Sequence, residues 1–423
     1  MSIRQSGKRI IALLLVAVPI TVALQTEALN VSKTQRPVYG WGFTNHPDGG
    51  GGPDDWQRGK EKARKQRILF VLRYGLNLGA LWLIFITGLS ARLMDVTGRL
   101  TSRRGGQRVV YLVIFFSLIM LLNLPLDLYA SYGIGREYGL ITQTLSQWLR
   151  DYAVAQAIAL VIFIGVVLGL YRLFGRRRWW AWATLVSIPV IVFLIYIAPV
   201  VLAPLFNRFT PLPESPLKGE LLAFARSEGV PAEDVFVMDA SRQSRAVNAY
   251  VIGIGPTKRI VLYDTLLERF TLQEIMFVLA HEIGHYRFHH VWKFIAAGVL
   301  AVLWGCLLVE LLGRRLLRRA TARVRVTDLA DSASLPLVGF VFLVACGVAF
   351  PILNTYSRHL EREADRFAIS RIRNPVAAIT AFEKLGRLNV SEYEASPLVE
   401  IIFYDHPTLA RRIRFVREFS GGE

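Results

Sequence analysis

The sequence predicts a mainly α-helical protein: a multi-pass membrane helical bundle with about seven spans, combined with a split α+β domain. Hydrophobic residues make up 53% of the 423 positions, more than ordinary soluble proteins carry. Seven apolar segments follow one another along the chain, and most of them approach the roughly 20 residues that a helix needs to cross a bilayer. Two segments of mixed composition, 207–290 and 357–423, account for the split domain.

Charge and cysteine content restrict the possible functions. The formal net charge is +18, and most of the excess lies in short basic runs beside apolar segments. Such runs orient membrane helices and contact anionic lipid, so the charge indicates a lipid bilayer as partner; no nucleic-acid-binding motif accompanies it. Cys306 and Cys346 lie inside apolar runs, which argues against a disulfide framework and excludes a cysteine-rich metal site.

Residues 1–67 are predicted to contain a first hydrophobic segment and a flexible loop. The apolar stretch Ile10–Leu24 follows a basic start and is short for a span, so it is either the core of a signal peptide or a retained span; the retained span is preferred. The stretch Gly49–Asp55 cannot build a core and is typical of a flexible loop.

Residues 68–206 are predicted to form a membrane domain, and residues 291–356 two further spans. Three prolines in one segment, Pro189, Pro199 and Pro204, predict kinks. The predicted spans are Tyr74–Ala91, Val109–Leu126, Ala153–Leu170, Trp179–Leu205, Phe294–Leu312 and Leu335–Ile352. Near the end of the fifth of these, Glu310 is expected to face a protein interior, a cavity or the headgroup zone.

Residues 207–290 are predicted to form the first part of the α+β domain. The spacing of apolar residues predicts an amphipathic helix over Leu217–Glu228. Three β-type runs follow, and the last two form a hairpin because Gly253, Gly255 and Pro256 separate them. The runs are Val235–Met238, Ala246–Ile252 and Arg259–Tyr263. The second run, as an edge strand, could hold a peptide by strand addition.

A capped helix after these strands carries a metal-binding motif. Thr271 and Glu274 form a capping box, which begins a helix. His281 and His285 are four residues apart and lie on one helix face, where both imidazoles can bind one Zn²⁺. Glu282 follows directly and can take a proton from a water that the metal activates. This H-E-x-x-H pattern predicts a catalytic zinc site of the zincin type.

Catalytic zinc sites typically have three protein ligands, so the motif needs one more. His289 cannot complete the site, because three ligands on one straight helix approach the ion from one side. The segment 357–365 offers Glu361 and Asp365, which are spaced i, i+4 on one helix face. One can bind the metal while the other orients a ligand histidine. Residues 357–423 are therefore predicted to form the second catalytic part.

Other polar residues near the motif are predicted to have structural roles. His289 and His290 are expected to cap the zinc helix at the membrane boundary. His359 lies two residues before Glu361 and off its face, so it is expected to be a neighbour that does not bind the metal. Glu363 is expected to point elsewhere on its helix.

The two motifs together resemble the M48 family of membrane zinc metallopeptidases. The resemblance rests on H-E-I-G-H over 281–285, a following pair of spans and S-R-x-x-E-x-x-A-D over 357–365, and it extends from about residue 68 to 415. Asn248-Ala-Tyr250 and His406-Pro-Thr-Leu add to it, although the family usually has His-Pro-Pro-Leu at the second. Five preceding spans favour the CAAX prenyl protease (Ste24-type) branch over the HtpX-type branch.

The resemblance implies roles for individual residues. Glu361 would be the third zinc ligand, and Asp365 would orient a ligand histidine. His406 would stabilise the tetrahedral intermediate, with Arg412 near it. The strand that receives the peptide would carry Asn248 and Ala249. The family also implies a seven-helix barrel around a large water-filled chamber into which the zinc site opens.

These observations predict an integral-membrane zinc metalloendopeptidase of the cell or inner membrane, with one Zn²⁺ per chain and a membrane-associated or C-terminally modified protein substrate. Two alternatives stay open: a membrane-protein quality-control protease of the HtpX type, and a non-catalytic scaffold or transporter that retains the fold. Basic residues in most short loops place the catalytic parts outside the cell, whereas the first long loop and the resemblance place them in the cytosol.

Overall fold

Long helices dominate the fold. The computed structural model describes residues 53–253, 258–320 and 324–421. Within these ranges six helices are long and apolar enough to cross a membrane. They are Pro53–Ile86, Arg104–Glu137, Leu145–Leu173, Trp179–Leu205, His290–Arg319 and Ser332–Ile372. The prediction of a mainly helical multi-pass bundle is confirmed; the predicted first segment, Ile10–Leu24, lies outside the described residues.

The last long helix before the sheet changes type at two of its three prolines. The helices before the sheet are α1 (Pro53–Ile86), α2 (Leu89–Leu100), α3 (Arg104–Asp127), α4 (Ile134–Glu137), α5 (Leu145–Leu173) and α6 (Trp179–Ile197), with a π-helical turn at Leu128–Gly133. After α6 the chain continues as a π-helical turn, Ala198–Leu202, and a 3₁₀ turn, Ala203–Leu205. Pro199 and Pro204 lack the N–H groups that a continued α-helix requires, whereas α6 runs through Pro189.

A four-stranded sheet follows the fourth long helix. Its strands are β1 (Phe209–Pro211), β2 (Val235–Met238), β3 (Ala249–Ile252) and β4 (Arg259–Tyr263). Their order in the sheet is β1-β2-β4-β3, so β3 is an edge strand. β2 and β4 are parallel, whereas β3 and β4 are antiparallel with Ala249 opposite Leu262. This pairing confirms the predicted hairpin, and β2 and β4 have the predicted bounds.

The sheet differs from the prediction at two strands. β3 begins at Ala249 and not at Ala246, because the intervening backbone bonds to side chains. The amide of Val247 donates to Asn389 Oδ1 at 3.0 Å, and its carbonyl accepts from Asn389 Nδ2 at 3.1 Å. β1 was not predicted, since three residues ending in a proline give too short a pattern; it is held by antiparallel pairing with β2.

One helix connects the membrane bundle with the part of the chain that contains the sheet. The remaining helices are α7 (Pro216–Ser227), α8 (Asp264–Leu267), α9 (Leu272–Arg287), α10 (His290–Leu308), α11 (Arg314–Arg319), α12 (Leu335–Ile372), α13 (Pro375–Leu388), α14 (Pro397–Phe403) and α15 (Leu409–Ser420), with shorter turns at Ala240–Arg242, Val309–Gly313 and Ser332–Ser334. α12 has 38 residues and runs without a break from the last predicted span through the segment 357–365.

α12 contributes to the two largest apolar cores of the described residues. Leu337 and Val341 near its start pack in the membrane core, whereas Phe367 and Ala368 near its end pack in the core beside the sheet. Phe277 of α9 lies in this second core with 1% of its surface exposed. Burial of one such side chain stabilises the fold by about 2–3 kcal/mol. Packing in both cores therefore fixes the position of α12 relative to α9.

Glu310 faces protein groups, as predicted. Trp179 Nε1 donates to its Oε2 at 2.6 Å, and Arg314 Nε donates to its Oε1 at 2.7 Å. An acidic side chain in a membrane helix is costly unless such partners are present.

Candidate metal centre

The helix that carries the H-E-x-x-H motif begins with the predicted capping box. Glu274 N donates to Thr271 Oγ1 at 3.4 Å, and Thr271 N donates to Glu274 Oε2 at 2.8 Å. Lys384 Nζ also donates to Glu274 Oε2, at 2.8 Å, which ties the start of α9 to α13. The cap satisfies backbone donors that a helix start leaves without partners.

Three buried side chains converge where α9 meets α12. His281 Nε2 lies 3.1 Å from His285 Nε2 and 3.3 Å from Glu361 Oε2. His285 Nε2 lies 3.4 Å from Glu361 Oε1. Ligands placed about 2.0–2.1 Å from a tetrahedral ion are separated by about 3.3–3.4 Å. The two Nε2 atoms, and each of them with the Glu361 oxygen that faces it, are close to this spacing, and one ligand atom from each residue lies within 4.8 Å of the other two. Two imidazoles and one carboxylate are also a known ligand set of catalytic metal sites.

A glycine in the motif permits the close approach of the two helices. A Cβ atom on Gly284 would lie 3.2 Å from Ala364 Cα, 3.2 Å from Phe367 Cδ1 and 3.3 Å from the Ala364 carbonyl oxygen. Ordinary contacts between carbon atoms are about 3.5–4.0 Å. The absent side chain therefore brings Glu361 within reach of both histidines.

Asp365 and Arg412 hold the first histidine in place. His281 Nδ1 lies 2.8 Å from Asp365 Oδ1, and Arg412 Nε donates to Asp365 Oδ2 at 2.9 Å. Arg412 also lies over the ring of Phe382, with 4.2 Å between Cζ and the ring centroid. Because the Asp365 carboxylate only accepts, His281 donates its ring proton from Nδ1 to Asp365, and Nε2 keeps its lone pair for a metal.

Electrostatics at His281 favour binding of a cation. Burial lowers the pKa of His281, but the hydrogen bonds to Asp365 and Glu361 outweigh this effect, and its pKa lies above the usual value for histidine. The same two carboxylates that attract a proton attract a metal ion, and a bound metal requires the neutral imidazole.

Glu282 and His406 lie beside the three converging donors. Glu282 is 6% exposed, and its Oε1 is 4.0 Å from His281 Nε2. His406 lies in the turn between α14 and α15, with Nε2 3.3 Å from Glu361 Oε2 and Nδ1 2.8 Å from Asp405 Oδ1. Both side chains can therefore reach a reacting group at the metal site.

The turn that carries His406 is fastened to α12. Arg358 Nη1 donates to the carbonyl oxygens of Glu400 at 2.7 Å and Tyr404 at 2.6 Å. The amide of Thr408 donates to Glu400 Oε1 at 3.1 Å. No role was predicted for Arg358 or Asp405. The position of Arg358, three residues before Glu361 on the same helix, is the pattern in the sequence that points to it.

The predicted peptide-binding residues lie at the start of the edge strand. Asn248 accepts a hydrogen bond from the Tyr263 amide at 3.0 Å through its carbonyl oxygen. Its side-chain Nδ2 is shielded from solvent and has no acceptor within the described part of the chain. Ala249 is buried and begins β3.

The prediction that His290 caps the zinc helix is wrong. α9 ends at Arg287, and the amide of Phe288 donates to the Gly284 carbonyl at 3.0 Å. His290 instead is buried and contacts His285 and Glu363. Sequence spacing missed both contacts because His290 belongs to the next helix, α10. His359 is an exposed neighbour, as predicted.

Two family models cover the described chain. Residues 211–420 match the model of peptidase family M48, and residues 52–208 match a model described as the CAAX prenyl protease N-terminal region with five membrane helices. The uncharacterized metalloprotease YhfN of Bacillus subtilis is 31% identical over 364 residues, which cover 86% of this chain and 85% of that protein. The chain belongs to peptidase family M48.

Further relatives agree with this membership. A CAAX prenyl protease 1 homolog of Arabidopsis thaliana is 31% identical over 310 residues, which cover 70% of this chain and 69% of that protein. The crystal structure of Ste24p from S. mikatae has the same fold, with a TM-score of 0.74, 23% sequence identity, and coverage of 97% of this chain and 98% of that one. This M48 peptidase is therefore an integral, multi-pass membrane metalloendopeptidase that acts on a peptide or protein substrate.

Proposed function

We propose that this M48 peptidase binds one Zn²⁺ through His281, His285 and Glu361 and cleaves membrane-associated or C-terminally modified proteins. The spacing of 3.1–3.4 Å between the two histidine Nε2 atoms, and from each of them to one oxygen of Glu361, carries this proposal. Zinc accepts nitrogen and oxygen ligands in tetrahedral geometry, and catalytic sites with two histidines and one glutamate leave the fourth position for water or substrate.

The catalytic part is proposed to be assembled from residues 207–290 and 357–423. The first segment supplies the H-E-x-x-H helix and the sheet, and the second supplies the third ligand and His406. The proposed division of the chain has three further units, which are residues 1–67, 68–206 and 291–356. The contact between α9 and α12 at Gly284 supports it, since this contact joins the two catalytic segments.

The side chains around the site are suited to hydrolyse a peptide bond. A bound zinc ion is a Lewis acid that makes water nucleophilic at neutral pH. Glu282 is placed to take the proton of the attacking water and pass it to the leaving amine. In its protonated form His406 can donate from Nε2 to the developing oxyanion while Nδ1 donates to Asp405, and one such donor contributes about 3–4 kcal/mol to transition-state stabilisation.

The substrate is proposed to bind as an extended strand beside β3. An edge strand offers backbone groups to a peptide, and such recognition depends little on side chains near the cleaved bond. The side chain of Asn248, whose Nδ2 has no acceptor among the described residues, is proposed to turn toward a bound peptide and donate to its carbonyl group, next to Ala249. Arg412 is proposed to contribute to substrate binding indirectly: it holds Asp365, and Asp365 in turn holds His281 at the site where the substrate binds.

Zinc content and peptide cleavage of the purified protein test this function. The wild type is expected to bind one zinc per chain and to cleave, whereas Glu282→Gln is expected to keep zinc and lose cleavage. Glu361→Ala is expected to lose zinc, and full occupancy in this variant would exclude Glu361 as a ligand. A wild type without metal, or cleavage by Glu282→Gln at the wild-type rate, would favour a non-catalytic scaffold or transporter.

A matched pair of substrates separates the two proteolytic functions. One peptide is offered with and without a farnesyl group on its C-terminal cysteine. Relatives whose names include CAAX prenyl protease motivate the modified form. Preference for the farnesylated peptide would support processing of modified C-termini. Equal cleavage of both peptides, and cleavage of casein, would support membrane-protein quality control.

A further inference from the structure

We propose that His290 and Glu363 are positioning residues that fix the metal ligand His285 through a chain of two hydrogen bonds. His285 Nδ1 and His290 Nδ1 are 2.8 Å apart, and His290 Nε2 is 3.0 Å from Glu363 Oε2. His285 and His290 are each 1% exposed. The inference rests on the proposed metal site, because it concerns the orientation of one of its ligands.

The direction of both hydrogen bonds follows from the position of the metal site. His285 directs Nε2 toward His281 and Glu361, so a bound metal uses that nitrogen and leaves the ring proton on Nδ1. The Nδ1–H group of His285 then donates to Nδ1 of His290. Because that nitrogen accepts, the neutral His290 ring carries its proton on Nε2, which donates to Glu363. One arrangement of protons satisfies every atom in the chain.

The backbone delivers His290 to this position through a sharp reversal. α9 ends at Arg287, and His289 has a φ of 55°, in the left-handed region that residues other than glycine rarely adopt. α10 then starts at His290, so its first side chain lies back against the last turn of α9. The ring centroids of His285 and His290 are 4.7 Å apart with an interplanar angle of 88°, which suits an edge contact and excludes stacking.

Glu363 is itself held in place by the membrane helices. It lies on α12, two residues after Glu361, and Lys293 Nζ of α10 is 3.1 Å from its Oε2. The side chains of Lys293 and Glu363 are 37% and 34% exposed, so solvent weakens their attraction without removing the geometric constraint. Helix α12 therefore supplies the third ligand and the carboxylates that orient both histidines.

The two ligand histidines are oriented in different ways. Asp365 contacts Nδ1 of His281 directly, at 2.8 Å, whereas Glu363 acts on His285 through the intervening ring of His290. A carboxylate or carbonyl partner on the second nitrogen fixes the tautomer and the ring orientation of metal-bound histidines, and its loss typically weakens metal binding about 10- to 100-fold. His290 is expected to have an effect of this size.

Metal affinity and the spectrum of bound Co²⁺ test the proposal independently of activity. Full-length apoprotein in detergent is titrated with Zn²⁺ against a chelator, and Co²⁺ absorption reports the coordination geometry. His290→Leu is expected to bind Zn²⁺ about 10- to 100-fold more weakly and to alter the Co²⁺ bands. His290→Asn, which retains an acceptor for His285, is expected to lose less. His289→Asn, which changes the exposed neighbouring histidine to another residue that tolerates the left-handed backbone, is the matched control and should equal the wild type.

A double substitution tests the link to Glu363. Glu363→Gln alone is expected to weaken Zn²⁺ binding, but it should add little in the His290→Asn background, because that variant no longer connects position 363 to His285. Equal losses in both backgrounds would refute the link. The role of His290 would be refuted if His290→Leu and His290→Asn both bound Zn²⁺ within twofold of the wild type. If the wild type in that case binds metal and cleaves peptide, the proposed function would still stand. A wild type that binds no metal would refute this proposal together with the proposed function.

Discussion

Substitution of Gly284 by alanine should separate the stability of the fold from the assembly of the metal site. The added Cβ would lie 3.2 Å from Ala364 Cα and 3.2 Å from Phe367 Cδ1, which is about 0.3–0.8 Å closer than ordinary carbon contacts. One of these neighbours is backbone, so α9 and α12 must separate. A shift of that size lengthens the distances of 3.3 and 3.4 Å from Glu361 to the two histidines beyond the spacing that a tetrahedral ion accepts.

The change in the unfolding free energy of Gly284→Ala follows from two opposing effects. Alanine favours a helix over glycine by about 0.8–1.0 kcal/mol, whereas overpacking typically costs about 1–3 kcal/mol. The net change in unfolding free energy is therefore expected to lie between about zero and 2 kcal/mol of destabilisation. Zinc affinity is expected to fall by about tenfold or more, because a metal site tolerates ligand displacements of only about 0.5 Å.

Gly219→Ala is the matched control, since nothing lies within 4 Å of its added Cβ in the helix α7. It should stabilise the protein by about 1 kcal/mol and leave zinc binding unchanged. Thermal unfolding in detergent and zinc titration against a chelator measure both quantities. If Gly284→Ala were as stable as Gly219→Ala and bound zinc as tightly, the claim that a Cβ atom at position 284 pushes α9 and α12 apart would be refuted.

Three further substitutions test separate parts of the site. Arg412→Met removes the donor that holds Asp365 and should weaken zinc binding about tenfold in a chelator titration; unchanged affinity would show that Asp365 orients His281 unaided. His406→Phe should keep zinc and lower kcat about 100- to 1,000-fold on a fluorogenic peptide, and a loss of zinc instead would place His406 in the ligand set. Thr271→Ala removes the helix cap and should cost about 1 kcal/mol in thermal unfolding; zinc occupancy of the folded protein serves as its control and should not change.

Local patterns in the sequence were sufficient for the elements that local physics determines. The apolar runs predicted all six spans found among the described residues, because a membrane-crossing helix needs a continuous apolar length. The capping box at Thr271 and the strands β2 and β4 were predicted for the same kind of reason, since hydrogen bonds and side-chain alternation within a few residues produce them.

Elements that depend on distant partners were predicted less well. β1 forms only because β2 lies beside it, and the start of β3 is set by Asn389, 142 residues from Val247. Spacing alone showed that Glu361 and Asp365 share a helix face but left open which one meets the metal donors. The structure places Glu361 against the Nε2 atoms and Asp365 against Nδ1 of His281.

The sequence by itself determined the membrane spans, the helix with His281, Glu282 and His285, and the need for a ligand from a second helix. Only the tertiary structure decided the partners of the proposed ligands: Arg412 contacts Asp365, and His290 lies between His285 and Glu363. The physical reason is that periodicity along a chain fixes which face of a helix a side chain occupies. Which hydrogen-bond partner it meets depends on how closely another helix approaches that face, and packing at Gly284 sets that distance here.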